Sequence, residues 1–111
     1  MRVERDLLGD VELPDEVLYG VQTERARRNF TAAATPVRTE IVSALARVKI
    51  ACALANRELG DLEPALADAI AAAARDVARG MHADQFVVDA LQGGAGTSTN
   101  MNVNEVIARL A

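Results

Sequence analysis

The sequence predicts a mainly α fold, because apolar residues recur at steps of three and four along two long segments. The first segment carries Ile41, Leu45, Val48, Cys52, Ala55 and Leu59, and the second carries Leu66, Ile70, Ala73 and Val77. Gly60 and Gly80 directly follow these segments, and glycine at such positions commonly ends a helix. We therefore expect a helical hairpin, preceded by a short N-terminal hairpin or turn and followed by a glycine-rich loop and the start of a further helix.

The N-terminal segment is short and of mixed composition. Gly9 and Asp10 lie between Leu7-Leu8 and Val11, a pattern that predicts a turn or small hairpin. Pro14 followed by two acidic residues favours a turn or a helix start. Residues 22–30 then have room for one or two helical turns.

The first long helix is expected to begin with Thr39 as its N-cap. Besides the first apolar stripe it carries a second one, so we expect burial on more than one face. The second stripe consists of Val42, Ala46, Ile50 and Leu54. Cys52 lies in the first stripe and is interpreted as a packing residue. Pro64 fits the first position of the next helix, and the short link predicts an antiparallel pair.

The last third of the chain holds the glycine-rich stretch. Residues 86–91, FVVDAL, fit a short strand or an extended lead-in to it. A further helix is expected from about Asn102, with Val103, Val106, Ile107 and Leu110 at helical spacing. This pattern stops at Ala111 without a capping signal, so we interpret residues 1–111 as one truncated domain.

Composition excludes several functional classes. The net charge is −4 and basic residues form no block, which argues against nucleic-acid binding. One histidine and one cysteine do not suffice for a zinc site made by this chain alone. The chain has no apolar run of membrane-spanning length and no signal-peptide pattern. We therefore expect a cytoplasmic protein that binds neither membranes nor nucleic acid and needs no metal or cofactor.

The glycine-rich stretch, LQGGAGTSTN at 91–100, is the main candidate site. Gly93, Gly94 and Gly96 permit left-handed backbone conformations and a close approach of ligand to backbone. The side chains that follow offer hydroxyl and amide groups beside a helix N-terminus, a combination that suits an anion; they belong to Thr97, Ser98, Thr99 and Asn100. The phosphate-loop ending Gly-Lys-Ser/Thr and the third glycine of the dinucleotide fingerprint are both missing. A carboxylate fits better than a triphosphate, although a flexible loop with a simple helix cap is equally compatible.

Two other features are weaker candidates. His82 near Asp84 has the chemistry of a proton carrier, but a lone histidine in a loop is more often structural. The arginines Arg25, Arg27 and Arg28 could contact an acidic ligand or a neighbouring subunit, but a solvated helical face is the simpler interpretation.

Both ends of the chain resemble a known family. RVERDLLGDVELPDEVLYGVQTERARRNF at 2–30 resembles the opening of aspartate ammonia-lyases, in the aspartase/fumarase superfamily. DQFVVDALQGGAGTSTNMNVNEVIA at 84–108 is similar to that family's first signature region. The family's proteins are much longer, so the resemblance implies an N-terminal lyase domain only. The loop sequence at 94–100, GAGTSTN, resembles that of aspartases more than that of fumarate hydratases, in which the loop is typically GSGTQSN.

The resemblance implies reversible elimination of ammonia from L-aspartate to give fumarate. The position matching Thr97 contacts a substrate carboxylate in the family, and Ser98, Thr99 and Asn100 are carried over as neighbouring substrate-binding or helix-capping groups. The family's base is a serine on a downstream mobile loop, so no catalytic residue is expected within this chain. The resemblance also implies a homotetramer whose active sites combine segments of three subunits.

Two alternatives remain open from the sequence. A class II fumarate hydratase is the nearest enzyme, and it is separated from an aspartase by comparing turnover of aspartate and malate. A non-catalytic helical module that keeps the anion-binding loop is the other.

Overall fold

The N-terminal hairpin pairs β1 (Arg2–Asp6) with β2 (Gly9–Leu13) in antiparallel register. These coordinates are a computed structural model that describes residues 1–111. The predicted hairpin is confirmed, but its turn residues are Leu7 and Leu8, and Gly9 and Asp10 already belong to β2. The Leu8 N–H donates to Asp6 Oδ1 at 2.8 Å, which closes the turn with a side-chain acceptor.

The first helix, α1 (Val21–Asn29), is held at its N-terminus by two carboxylates from distant parts of the chain. Glu4 accepts a hydrogen bond from the Val21 N–H, and Glu105 accepts from the Thr23 N–H and hydroxyl. A β-carbon on Gly20 would collide with both carboxylates, so a larger residue there would displace the groups that hold the start of α1. This arrangement confirms the predicted helical turns over residues 22–30 and satisfies orphan donors of the helix.

The helical hairpin is confirmed as α2 (Thr39–Glu58) packed against α3 (Pro64–Ala78). Gly60 and Gly80 both have positive φ, 78° and 92°, and end their helices as the sequence predicts. Pro64 occupies the first turn of α3. Thr39 is not the N-cap, because the Arg38 carbonyl accepts the first helical hydrogen bonds and Thr39 is already inside the helix.

Burial along the hairpin differs from the prediction. The second stripe of α2 supplies the buried residues Val42 and Ala46, whereas Cys52 in the first stripe is exposed. The interpretation of Cys52 as a packing residue is therefore wrong for this chain. In α3, Leu66 is 49% exposed and mainly alanines face the core. The reason is packing: small alanines allow the helices to approach closely, and among the larger side chains Val77 is buried whereas Leu66 points away from the core.

The last helix, α4 (Thr97–Leu110), begins five residues before the predicted start near Asn102. Threonine, serine and asparagine have modest helix propensity, so their row resembles a loop. In the structure they form the first turn of α4, after Gly96 in the left-handed conformation. Residues 86–91 form no strand: the segment makes one isolated bridge, between Asp89 and Pro36, and bends at residues 90 and 91.

The core lies where β2, α3 and α4 converge. Its least exposed large side chains are Leu13, Val77, Val103 and Val106. None of the helices combines the length and the apolar character that crossing a membrane requires. The core fixes α4 along its length, so the glycine-rich stretch is anchored at its helical end.

Candidate functional site

The glycine-rich stretch forms a turn made of three consecutive left-handed residues. Gly94, Ala95 and Gly96 have φ values of 91°, 55° and 82°. Ala95 is the one that carries a side chain, and a left-handed conformation costs such a residue about 1 kcal/mol. The turn closes at Thr97, whose N–H and hydroxyl both donate to the Gly94 carbonyl, at 3.1 and 2.7 Å.

Gln92 ties this turn to the start of α4. Its Oε1 accepts hydrogen bonds from the Thr99 N–H and from the Thr99 hydroxyl, each at 3.0 Å. Its Nε2 donates to the Asp89 carbonyl at 2.7 Å. Gly96, the residue directly before α4, has no side chain with which to cap the helix. Gln92, which precedes the turn, therefore caps α4 instead.

Asp89 fixes the other side of the turn. It is only 5% exposed, and its carboxylate accepts hydrogen bonds from the N–H groups of Ala33, Ala34 and Leu91. These bonds join the segment between α1 and α2 to the segment that leads into the glycines. The turn is thereby held from both ends by buried or half-buried polar groups.

An open cleft of about 600 Å³ lies against this turn. Its walls come from the segment before α2, from α2, from the glycine turn and from the first turn of α4. The lining residues are Val37, Ile41, Leu45, Ala90, Gln92, Ala95, Gly96, Thr97, Thr99 and Asn100. None of these residues is ionisable at neutral pH, so the cleft offers neutral polar groups and apolar surface.

Several backbone donors at the cleft have no partner within the chain. The N–H groups of Gly94, Ala95, Gly96 and Ser98 make no protein hydrogen bond. Two of these four residues line the cleft, and Ser98 lies in the first turn of α4. Free N–H groups at a helix N-terminus, with the positive end of the helix dipole, favour an anionic ligand.

The four predicted substrate-binding side chains are brought together but play different parts. Thr97 is exposed at the cleft, although its hydroxyl proton is engaged by Gly94. Thr99 is 6% exposed and both its donors are used by Gln92, so its role here is helix capping. Asn100 lines the cleft, whereas Ser98 does not.

Lys49 on α2 contacts a residue of the cleft wall, a role that no sequence pattern predicted. Its Nζ donates to Asn100 Oδ1 at 2.6 Å and so links α2 to the first turn of α4. One signal was available, since Lys49 is the only lysine among twelve basic residues. Nothing in the sequence, however, indicated which residue it would contact, because its partner is 51 positions away.

The weaker candidates lie elsewhere. His82 has a left-handed backbone (φ 61°) before a single 3₁₀ turn and does not line the cleft. Arg25 pairs with Asp6, while Arg27 and Arg28 pair with Glu24. The hydrogen bond from Arg27 lowers the pKa of the buried Glu24 carboxyl. The three arginines therefore serve ion pairs within the chain.

Comparison with known proteins places this geometry in context. A family model described as Lyase matches residues 9–111. Aspartate ammonia-lyase of Pseudomonas aeruginosa is 52% identical over 112 residues, covering 99% of this chain and 24% of that protein. Aspartate ammonia-lyase of a Bacillus species is 48% identical over all of this chain, again 24% of that protein. Fumarate hydratase class II of Mycobacterium tuberculosis is 47% identical over 99% of this chain and 23% of its own length.

A solved structure agrees with these relatives. The crystal structure of fumarate lyase:delta crystallin from Brucella melitensis in native form superposes with a TM-score of 0.96 at 46% identity, over 99% of this chain and 26% of that one. The chain thus spans about a quarter of the length of the proteins it matches. With the family match over most of its residues, the chain belongs to the lyase family, within the aspartase/fumarase superfamily.

Proposed function

We propose that this chain is the N-terminal part of a cytoplasmic enzyme that reversibly eliminates ammonia from L-aspartate to give fumarate. In this proposal the segment supplies a loop that binds a substrate carboxylate. The observation that carries it is the set of unpartnered N–H groups at Gly94, Ala95, Gly96 and Ser98, beside an open cleft without acidic side chains.

The chemistry explains why such a site is useful. Elimination removes a proton from Cβ, forms the double bond, and breaks the Cα–N bond so that ammonia leaves with its electron pair. After proton removal the carbanion charge spreads into the neighbouring carboxylate, whose oxygens become more negative. Fixed N–H donors then bind the transition state more strongly than the substrate, which lowers the barrier.

Thr97 is the proposed side-chain contact. Its hydroxyl lies at the cleft and donates to the Gly94 carbonyl. Rotation about its side chain redirects this proton toward a bound carboxylate. Asn100 offers an amide nitrogen from the same wall. The remaining residues of the turn, Ser98 and Thr99, are proposed to shape the helix start that presents these donors.

Proton removal requires a group from outside the cleft described here. No lining residue can act as a base at neutral pH. The chain has two serines: Ser43 donates to the Ala78 carbonyl, and Ser98 does not line the cleft. We propose that the base comes from another segment of a longer polypeptide, in a homotetramer whose sites combine several subunits. The 111-residue chain alone is then inactive.

The test measures ammonia release and fumarate formation from L-aspartate with the complete polypeptide and with residues 1–111 alone. We expect turnover from the complete polypeptide and none from the shorter chain. Turnover by residues 1–111 would refute the assignment of the base to another segment. A complete polypeptide without aspartate turnover would refute the proposed reaction.

Fumarate hydration is the second candidate function, because a fumarate hydratase is almost as similar to this chain as the aspartate ammonia-lyases. The same cleft suits malate, which also carries two carboxylates. Assaying L-malate beside L-aspartate separates the two enzymes, and we expect measurable turnover with aspartate only.

A further inference from the structure

Lys49 stands apart from the other basic residues of the chain. Eight of the twelve form ion pairs with carboxylates, and the unpaired arginines Arg47, Arg75 and Arg109 are all exposed. Lys49 is half-buried and has no carboxylate within ion-pair distance. A half-buried ammonium group without a counter-ion depends on hydrogen bonds for its stability, so its one hydrogen bond is informative.

The single hydrogen bond of Lys49 determines how Asn100 is oriented. An ammonium group can only donate, so the oxygen of the Asn100 amide must face Lys49, at 2.6 Å. The amide nitrogen of Asn100 makes no hydrogen bond in the chain. Because every buried polar side-chain atom has a partner, this nitrogen is accessible to solvent. Because Asn100 lines the cleft, a donor group is left free there.

We propose that Lys49 is a positioning residue of the carboxylate site: its hydrogen bond fixes the Asn100 amide with its NH₂ group toward the ligand. This inference rests on the proposed function. Lys49 is also the only charged residue whose side chain hydrogen-bonds to a side chain of the cleft wall. Without it the amide is free to rotate and present its oxygen, which repels a carboxylate.

The position of Lys49 suits this role. It belongs to α2, whereas Asn100 lies in the first turn of α4, so its hydrogen bond spans two helices that pack against each other. Its other surroundings are an apolar groove that also contains Cys52, Leu66 and Ile107 and no acidic residue. Lys49 lines this groove and not the cleft itself, so it acts on the cleft through Asn100.

The experiment is a double-mutant cycle on ligand binding. The affinity of the complete polypeptide for succinate, a dicarboxylate without an amino group to eliminate, is measured by calorimetry. The variants are Lys49→Met, Asn100→Ala and the two combined. Arg47→Met is the matched control, because Arg47 is an exposed cation without an ion pair on the same helix. Circular dichroism establishes that each variant folds, and Lys49→Gln replaces Lys49→Met if the latter does not.

Expected values follow from a charge-assisted hydrogen bond. Lys49→Met weakens succinate binding about 10- to 100-fold, and Arg47→Met changes it less than about twofold. In the Asn100→Ala background, Lys49→Met costs less than about threefold, because the amide that it orients is already absent. A purely structural lysine gives the same loss in both backgrounds.

The outcomes separate this inference from the proposed function. Independent, additive losses, or wild-type affinity in Lys49→Met, overturn the positioning role even if aspartate turnover is intact. Absence of succinate binding by the wild-type protein overturns both. Succinate binding with a non-additive cycle but without aspartate turnover supports Lys49 and refutes the proposed reaction.

Discussion

Replacing Gln92 with alanine removes the side chain that joins the glycine turn to α4. Three hydrogen bonds are lost: two accepted from Thr99 and one donated to the Asp89 carbonyl. Thr99 is only 6% exposed, so its N–H and hydroxyl are left in a site with little access to water. Each orphaned donor costs about 1–3 kcal/mol, and partial relaxation of the exposed turn reduces the sum. We expect Gln92→Ala to lower the free energy of unfolding by about 2–4 kcal/mol.

Urea unfolding followed by circular dichroism measures this loss. Gln22→Ala is the matched control, because Gln22 is exposed and its side chain makes no hydrogen bond. The control should stay within about 0.5 kcal/mol of the wild-type value. If Gln92→Ala is as stable as Gln22→Ala, the capping role of Gln92 is refuted.

Gln92→Glu separates the structural role of this residue from its place at the cleft. A glutamate keeps an acceptor oxygen for Thr99 and places a negative charge near a helix N-terminus, but it loses the donor to the Asp89 carbonyl, so only part of the stability is retained. The same charge repels a bound carboxylate. At a separation of about 6 Å and an effective dielectric constant of about 40, Coulomb's law gives about 1.4 kcal/mol, or roughly a tenfold loss of succinate affinity. Unchanged affinity would mean that the carboxylate binds elsewhere.

Three further predictions concern other parts of the chain. Thr97→Val in the complete polypeptide should lower kcat/KM for aspartate about 10²-fold by removing one oriented donor, and a near-wild-type value in a steady-state assay would contradict its role. Glu105→Ala should lower the free energy of unfolding by about 2–3 kcal/mol in urea titrations, because its carboxylate accepts three hydrogen bonds at the start of α1; an unchanged midpoint would contradict this. The pKa of Glu24 is lowered from its ordinary value of 4.5 by the hydrogen bond from Arg27, so its ion pairs stabilise the fold above that value and their contribution is lost as the pH falls through the lowered pKa. Glu24→Gln should therefore be less stable than wild type at neutral pH, with the difference shrinking below pH 4.5, and a difference independent of pH would be inconsistent with this account.

Local signals predicted the elements that depend on local chemistry. The helical hairpin follows from apolar spacing, and its ends follow from Pro64, Gly60 and Gly80, whose backbone preferences act without tertiary contacts. The start of α4 was misplaced because its N-terminal signal is not local. Gln92, seven residues before Thr99, supplies the cap across the glycine turn.

Tertiary contacts determined what the sequence did not predict. Cys52 shares the helical spacing of buried residues, yet it faces an open groove because no element of this chain covers that side of α2. Lys49 has no motif around it, and its link to Asn100 exists only because α2 and α4 pack together. Arg25 pairs with Asp6 of β1, a tertiary contact that the sequence did not indicate, whereas Arg27 and Arg28 pair with Glu24 on the same helix and agree with the simpler interpretation of a solvated face.

A crystal structure of the complete polypeptide with bound succinate tests the central claim most directly. We expect one carboxylate to lie at the glycine turn, within about 3.2 Å of the Ala95 or Gly96 N–H and of the Thr97 hydroxyl or the Asn100 amide nitrogen. Succinate bound at a different surface, with the turn between Gly94 and Asn100 free of ligand, would contradict it.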